Sequence, residues 1–411
     1  MKNLGIKISI YLNYFVFAIL LNSVGIVIEK SIDVYGVVES DASQLEAFKD
    51  LPIAIVSFLI ASFLPRYGYK KAMLTGLAIV FFGCLYMVFG NSFFHTKVLF
   101  LSIGVSFALI KLSVYSLIGV LTETRKEHSS LMSSIEGFFM VGIASAYFLF
   151  PEFYSDTDEN AWLNVYYVLM GLILISFVFL FFSKFNYKIE ATGSSLKEDL
   201  RESGKLIVVP LVLVFIISAF LFVMIEQGIM TWLPTFNKQI FNFTSVLSVQ
   251  MASILALSLA LGRFIAGFLT KYMPWVYLVI ICVIISGTIL ITVLPQLQVD
   301  VAAVNEISSI TDVPMLGFIL PIIGLFIAPI YPLLNSSVLS SLPKNLHAPM
   351  SGLIIVFSAL GGTLGSRIVG ELFEEIGGAN AFYFLLIPMV LLIVFVLVID
   401  KMSKKKEQVP S

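Results

Sequence analysis

Six ionisable side chains lie in long apolar runs where no loop accounts for them: Lys111 within SFALIKLSVYS (106–116), Glu136, Glu226, Arg263, and Arg367 with Glu371. Placing a charge at the centre of a bilayer costs about 2.5–3.5 kcal/mol on insertion scales, so each should face a cavity or a partner. Lys111 is about ten residues from the end of its run, roughly 15 Å deep at 1.5 Å per residue. Its own stem cannot carry the ammonium back to the interface. Glu136 is roughly 9 Å deep in the following run by the same count. Three chemistries suit this placement. Lys111 and Glu136 could form a buried ion pair that fixes packing or gating. Lys111 could instead receive an anionic or polar substrate group while Glu136 responds to protonation, or Lys111 could itself be the coupling group. Helical spacing puts Phe107 and Tyr115 on either side of the lysine. Aromatic walls around a few polar groups suit a sugar-sized pocket as well as plain lipid contact.

Glu226 lies in FVMIEQGIMTWLPTF (222–236), where Gly228 and Pro234 are expected to interrupt the helix and free backbone groups to line a cavity. A carboxylate beside such a break can exchange a proton, with Gln227 as a hydrogen-bonding group and Trp232 as a stacking face. The structural alternative is a hydrogen bond from Glu226 to span eleven. Asn13 and Asn22 are candidate pocket amides in the first span, and Tyr331 with Asn335 forms a polar i, i+4 face; each residue type also serves as a helix–helix contact. Arg367 and Glu371, also i, i+4, read as an intrahelical ion pair at an outer gate, Arg263 as structural, and Glu29 as interfacial.

The elements that must hold these residues are membrane helices. Of 411 residues, 59% are hydrophobic and 12% charged, with a mean hydropathy of +0.99. The hydrophobicity comes in blocks of about 20 residues, the length a helix needs to cross a bilayer. Twelve spans are read at 8–29, 51–65 (extending back toward 47), 72–91, 97–121, 131–151, 163–183, 206–232, 245–270, 275–295, 314–338, 350–373 and 381–399. One set of loops is basic, with Arg66, Lys70, Lys71, Arg125, Lys126 and Lys184 among its members, and the alternate set, 33–50, 152–162 and 298–314, is acidic. The positive-inside rule then places both termini and the middle loop in the cytoplasm of a cell whose inner (plasma) membrane holds the chain. The organisation expected is a six-helix bundle over 1–183, a cytoplasmic loop over 184–205, a second six-helix bundle over 206–400 and a basic tail over 401–411.

Several function classes fall away. A net charge of −1 offers no basic surface for nucleic acid. Cys84 and Cys282 both sit inside apolar runs, and His95, His128 and His347 are scattered, so neither a disulfide framework nor a metal site is expected. No Walker motif, nucleophile elbow or dinucleotide fingerprint is present, so the chain is not expected to be an enzyme or to carry a cofactor. The apolar N-terminal stretch is too long for a leader and reads as the first span.

The two halves resemble one another. IASFLPRYGY (60–69) matches IAGFLTKYMP (265–274) at a constant offset of 205 residues, with Ile60/Ile265, Ala61/Ala266, Phe63/Phe268, Leu64/Leu269 and Tyr67/Tyr272 identical. Twelve spans, a parallel six-plus-six repeat and the basic turn ASFLPRYGYKK (61–71) resemble the major facilitator superfamily. Arg66, Gly68, Lys70 and Lys71 match that turn's motif, while Ala61 and Pro65 replace its glycine and its acid. FVMIEQGIMTWLPTF, with LGRFIAGFL (261–269), PIYPLLNSSVLSSL (329–342) and LGGTLGSRIVG (360–370), resembles the fucose–galactose–glucose:proton symporter family. The resemblance implies an all-α integral membrane protein of two pseudo-symmetric six-helix bundles, a monomer in membrane lipid. It also implies proton-coupled uptake of a small sugar-like solute by alternating access. Gly25 and Lys111 occupy the positions where the family's sugar symporters carry carboxylates, which leaves an anionic substrate open. Export of amphipathic molecules and a non-transporting receptor or assembly role are the alternatives.

Overall fold

The computed structural model describes residues 4–60, 64–90, 92–121, 125–183, 204–270, 272–297, 306–340 and 347–407. Nearly all of them are helical, and the strand-like pairing seen among them is a single bridge between Phe243 and Ile307. Eleven helices are long and apolar enough to span a membrane, and a twelfth is described for 17 residues, Gln44–Ile60. The chain is an all-α integral membrane protein with the twelve-helix architecture read from the sequence.

These segments are apolar on every face, so periodicity does not select a helix; the solvent does. Hydrocarbon offers no hydrogen bonds, and a helix satisfies its backbone internally. The hydroxyls follow the same rule, as Ser116 donates to the Leu112 carbonyl and Ser218 to that of Val214. The outward faces carry Phe89, Phe182 and Phe264, which are 77%, 76% and 77% exposed and would be untenable on a water-facing monomer.

The chain forms two compact units. The first comprises Met1–Val37 and Gln44–Leu196. Its helices are α1 (Leu4–Asn22), α2 (Val24–Tyr35), α4 (Gln44–Ile60), α5 (Tyr69–Gly90), α6 (Phe93–Leu121), α7 (Arg125–Leu149) and α8 (Val165–Phe182); the short α3 (Glu39–Ala42) packs with the other unit. The first span is thus two helices, broken at Ser23. Side chains cover the break: Ser23 donates to the Leu20 carbonyl and Asn22 to that of Ala18. Within the unit α1 packs on α7 and α8, α4 on α6, and α5 on α6 and α8.

The second unit comprises Val38–Ser43 and Lys197–Ser411. Its long helices are α9 (Pro210–Phe241), α10 (Ser245–Leu269) and α11 (Trp275–Val293). After these come a span broken near Leu320 and Ala328 that ends in α12 (Ile330–Ser340), then α13 (His347–Ile376) and α14 (Leu386–Glu407). α9 packs on α13 and α14, α10 on the broken span, and α11 on α14. Span by span this repeats the first unit: one with five, two with four and three with six become seven with eleven, eight with ten and nine with twelve. The sequence repeat at residues 60–69 and 265–274 is the trace of that shared plan, although residues 61–63 and Lys271 lie outside the described ones.

Small residues set the closest approaches. A Cβ at Gly142 of α7 would fall 2.6 Å from the Phe15 carbonyl oxygen of α1, and one at Gly365 of α13 would fall 2.5 Å from that of Met224 in α9.

Two expectations change. α9 runs unbroken through Gly228 and Pro234. Gly228 instead admits Leu385 and Val369, since a Cβ there would meet their side chains at 2.9 and 3.3 Å. Residues 38–43, read as part of the first bundle, pack on α13 of the second unit. Residues 184–203 of the expected inter-bundle loop and 408–411 of the tail lie outside the described ones, while α14 extends through Glu407. Gly365→Val should lower stability by about 1–3 kcal/mol, the usual cost of overpacking. Thermal unfolding in detergent checks this, and an unchanged midpoint would contradict the close approach.

Candidate functional site

The first unit gathers its polar groups around α6. Positions 107, 111 and 115 lie on one face, and the Lys111 ammonium sits 5.7 Å from the centre of the Phe107 ring and 5.8 Å from that of Tyr115. Both rings present π electrons to the cation, a contact that strengthens as water is excluded. Lys111 makes no ion pair and no hydrogen bond among the described residues. Glu136 on α7 is reached instead through a tyrosine, because the Tyr115 hydroxyl donates to its Oε1 at 3.3 Å. The direct Lys111–Glu136 pair considered from the sequence is therefore not formed here. α1 adds Tyr14, whose hydroxyl lies near Tyr115 and Glu136 and whose ring is 6.4 Å from Phe107 and 5.9 Å from Phe139.

The second unit builds a different cluster. Glu226 on α9 lies 3.7 Å from Nη2 of Arg263 on α10. Span eleven was the structural alternative for Glu226; the ion pair forms with Arg263 of span eight. Tyr331 on α12 stacks on Phe222 at 5.4 Å, one turn before Glu226, and its hydroxyl is 3.1 Å from Ser358 Oγ on α13. Asn335 stands next to that hydroxyl, and the Glu226 charge reaches it as well.

Other candidates are placed elsewhere. Trp232 is fully buried, its indole N–H donating to the Ser366 carbonyl at 2.9 Å and lying 3.2 Å from Ser366 Oγ. It clamps α9 to α13 and has no face free for stacking a solute. Asn22 spends its amide on the helix break, and Gln227 is half-buried. Glu29, expected at the interface, is 1% exposed beneath Tyr154. Burial, with the charges of Glu29 and Asp33, pushes the Tyr154 phenol well above its ordinary range. Arg367 donates through Nε to Glu371 at 2.6 Å and through Nη1 to the Ser40 carbonyl at 2.6 Å. In the basic turn Lys70 donates to the Phe181 and Ser183 carbonyls at the end of α8, where a cation also meets the helix dipole. Gly68 there has φ +96°, which favours glycine. Lys71 is exposed, and the side chain of Arg66 lies outside the described residues.

The sequence reading missed Glu46, Lys49 and Asp50. It read the second span as 51–65, extending back toward 47, whereas α4 begins at Gln44 and carries Pro52 inside. The signal available was the i, i+3 spacing of Glu46 and Lys49 leading directly into the apolar run.

A family model described as Major Facilitator Superfamily matches residues 10–366. The chain belongs to the major facilitator superfamily. It is a membrane transporter of that superfamily, and solved structures share its fold. A bacterial homologue of the human lysosomal transporter Spinster, inward-facing and occupied, aligns with a TM-score of 0.70 at 14% identity over 98% of this chain and 96% of the other. The transporter FucP in its outward conformation gives 0.63 at 12% identity over 97% and 99%. The nucleoside transporter NupG gives 0.72 at 14% identity over 97% and 100%. A search of curated proteins gave no match.

Trp232→Phe keeps the ring and deletes the N–H donor. It should cost about 0.5–1.5 kcal/mol of stability while leaving solute binding unchanged. A variant of normal thermal stability that bound solute less well would return Trp232 to the pocket.

Proposed function

We propose that the chain is a proton-coupled importer of a small sugar-like solute carrying an anionic group, working by alternating access with both termini in the cytoplasm. The observation that carries this reading is Lys111: a half-buried ammonium held between two aromatic rings, with no carboxylate paired to it among the described residues. A cation removed from water and left without a counter-ion is costly, and a substrate anion supplies the missing charge. Phe107, Tyr115, Tyr14 and Phe139 supply apolar walls with phenolic tips, suited to a sugar ring whose faces are apolar and whose edges carry hydroxyls.

Lys111 selects for charge, and the tyrosines orient the solute. Glu136, tied to Tyr115, links its protonation state to the substrate side of the cluster. In the second unit Glu226 is the corresponding acid, held by Arg263 and near the Tyr331 hydroxyl, beside which Asn335 stands. The expectation of uptake rests on the symporter-like motif around Glu226 and on the fold shared with FucP.

The test is uptake of labelled glucose, fucose and gluconate into proteoliposomes with an imposed pH gradient. The proposal expects gradient-dependent flux that favours the sugar acid; flux indifferent to the gradient removes proton coupling. Lys111→Met should weaken solute affinity by about 10–100-fold, the equivalent of the ~1.5–3 kcal/mol that a hydrogen bond to a charged group contributes. A variant transporting normally makes the lysine structural, and rescue by Glu136→Gln would indicate that the two residues serve as each other's counter-ion.

A further inference from the structure

Three enclosed charges in the first turns of α4 stand apart from the Lys111 and Glu226 clusters. Lys49 Nζ is 2.5 Å from Glu46 Oε1 and 3.5 Å from Asp50 Oδ1. Side-chain exposures are 5%, 0% and 13% for Lys49, Glu46 and Asp50. Glu46 and Asp50 are i, i+4 on one helix face, and the Asp50 carboxyl is in hydrogen-bonding contact with Glu46 as well as with Lys49. One ammonium therefore stands between two carboxyls. α6 packs directly on this turn: a Cβ at Gly104 would fall 2.3 Å from the Lys49 carbonyl oxygen and 3.1 Å from the Pro52 Cβ.

Among the described residues, the neighbouring helices bring no second cation into contact with the pair. α6 contributes Lys97, which donates to Gln44 Oε1 and lies over the Phe93 and Phe48 rings. Lys111, about two turns and roughly 10 Å beyond Gly104 on α6, sits between Phe107 and Tyr115. α2 carries Glu29, Lys30 and Asp33, which gather around Tyr154, with Lys30 over its ring and 4.0 Å from Asp33. α3, just ahead in the chain, adds only the acids Glu39 and Asp41, and Glu39 accepts from Gln239. With both carboxyls ionised, Glu46, Lys49 and Asp50 carry one surplus negative charge away from water. A single proton makes the set neutral.

We propose that Glu46 and Asp50 together hold one exchangeable proton, which makes the first turns of α4 a proton-binding site of the first unit. The reading of the chain as proton-coupled supplies only the use made of that proton, and the site deepens it. A proton from water forms an O–H bond on one Asp50 oxygen. That hydroxyl donates to a Glu46 oxygen, and Lys49 answers the single carboxylate charge that remains. Asp50 is the point of entry, since its side chain keeps some access while Glu46 has none. Release breaks the same O–H bond, returns the proton to water and leaves two carboxylates on one ammonium. Two carboxyls that share an enclosed site resist ionising together, so release follows the arrival of water at this turn. Glu136 keeps its separate place beside Tyr115.

Infrared spectra of the full-length protein in lipid nanodiscs at neutral pH test this through the C=O band of protonated carboxyls. Asp50→Asn and Glu46→Gln should each remove the intensity of one carboxyl, because either change leaves one acid against one ammonium. Lys49→Met should do the reverse and add the intensity of a second, since both acids then lack their cation. The loss with Asp50→Asn should be the same when Glu136→Gln is already present. An ion triad with both acids charged gives no loss in either amide variant; that result, or a loss confined to one of the two, overturns the proposal. If the amide variants fail to fold, Asp50→Glu decides: the band should keep its intensity at a shifted frequency, and an unshifted band overturns the site. Failure of coupled import would appear separately, as solute flux indifferent to a pH gradient with the band changes as stated.

Discussion

A charge placed in hydrocarbon must be answered, and the chemistry of this protein is arranged around that requirement. Glu226 is answered by Arg263, Arg367 by Glu371 and the Ser40 carbonyl, and Glu46 by Lys49. Lys111 is answered by two aromatic faces, which are weaker partners than a carboxylate. Among the described residues those other groups have charged or hydrogen-bonding partners, whereas Lys111 has only the two rings. Trp232 marks the contrast: its polar atom is fully used within the fold, so it stabilises and nothing more.

The two units use one packing plan for two chemistries. Span pairings and glycine contacts repeat between them, yet the first unit centres on lysine and tyrosine and the second on a glutamate–arginine pair. Backbone contact through small residues makes this possible, because the scaffold does not depend on the identity of the side chains facing inward. For the same reason, membership of a broad superfamily says that the chain carries a solute and leaves the solute to the residues of the site.

Much of the fold was legible in the sequence because hydrocarbon permits so few solutions. Block length gave the spans, and the spacing of Lys111 and Tyr115 placed them on one face. What a linear pattern lacks is the direction of a side chain across helices. Thus Tyr115, and not Lys111, meets Glu136, and Glu226 meets Arg263 of α10, a partner the linear pattern did not indicate. Two prolines sit inside helices: Pro52 lies within α4, and Pro234 suggested a break that α9 does not have. In both cases neighbouring helices hold the chain helical past a residue that would end a helix in water.

The short helix α3 bears on how the protein is made. Its Ser40 carbonyl accepts from Arg367, 327 residues later in the chain, and its Glu39 carboxylate accepts from Gln239. During synthesis α3 is complete long before either partner exists, so these two contacts of the connection between the first two spans form only after span eleven has been made. The second unit is consequently not encoded by one contiguous stretch. A gene cut at the middle loop would separate α13 from the six residues that complete it, and the late-made half would reach its final packing only by recovering them from the early one.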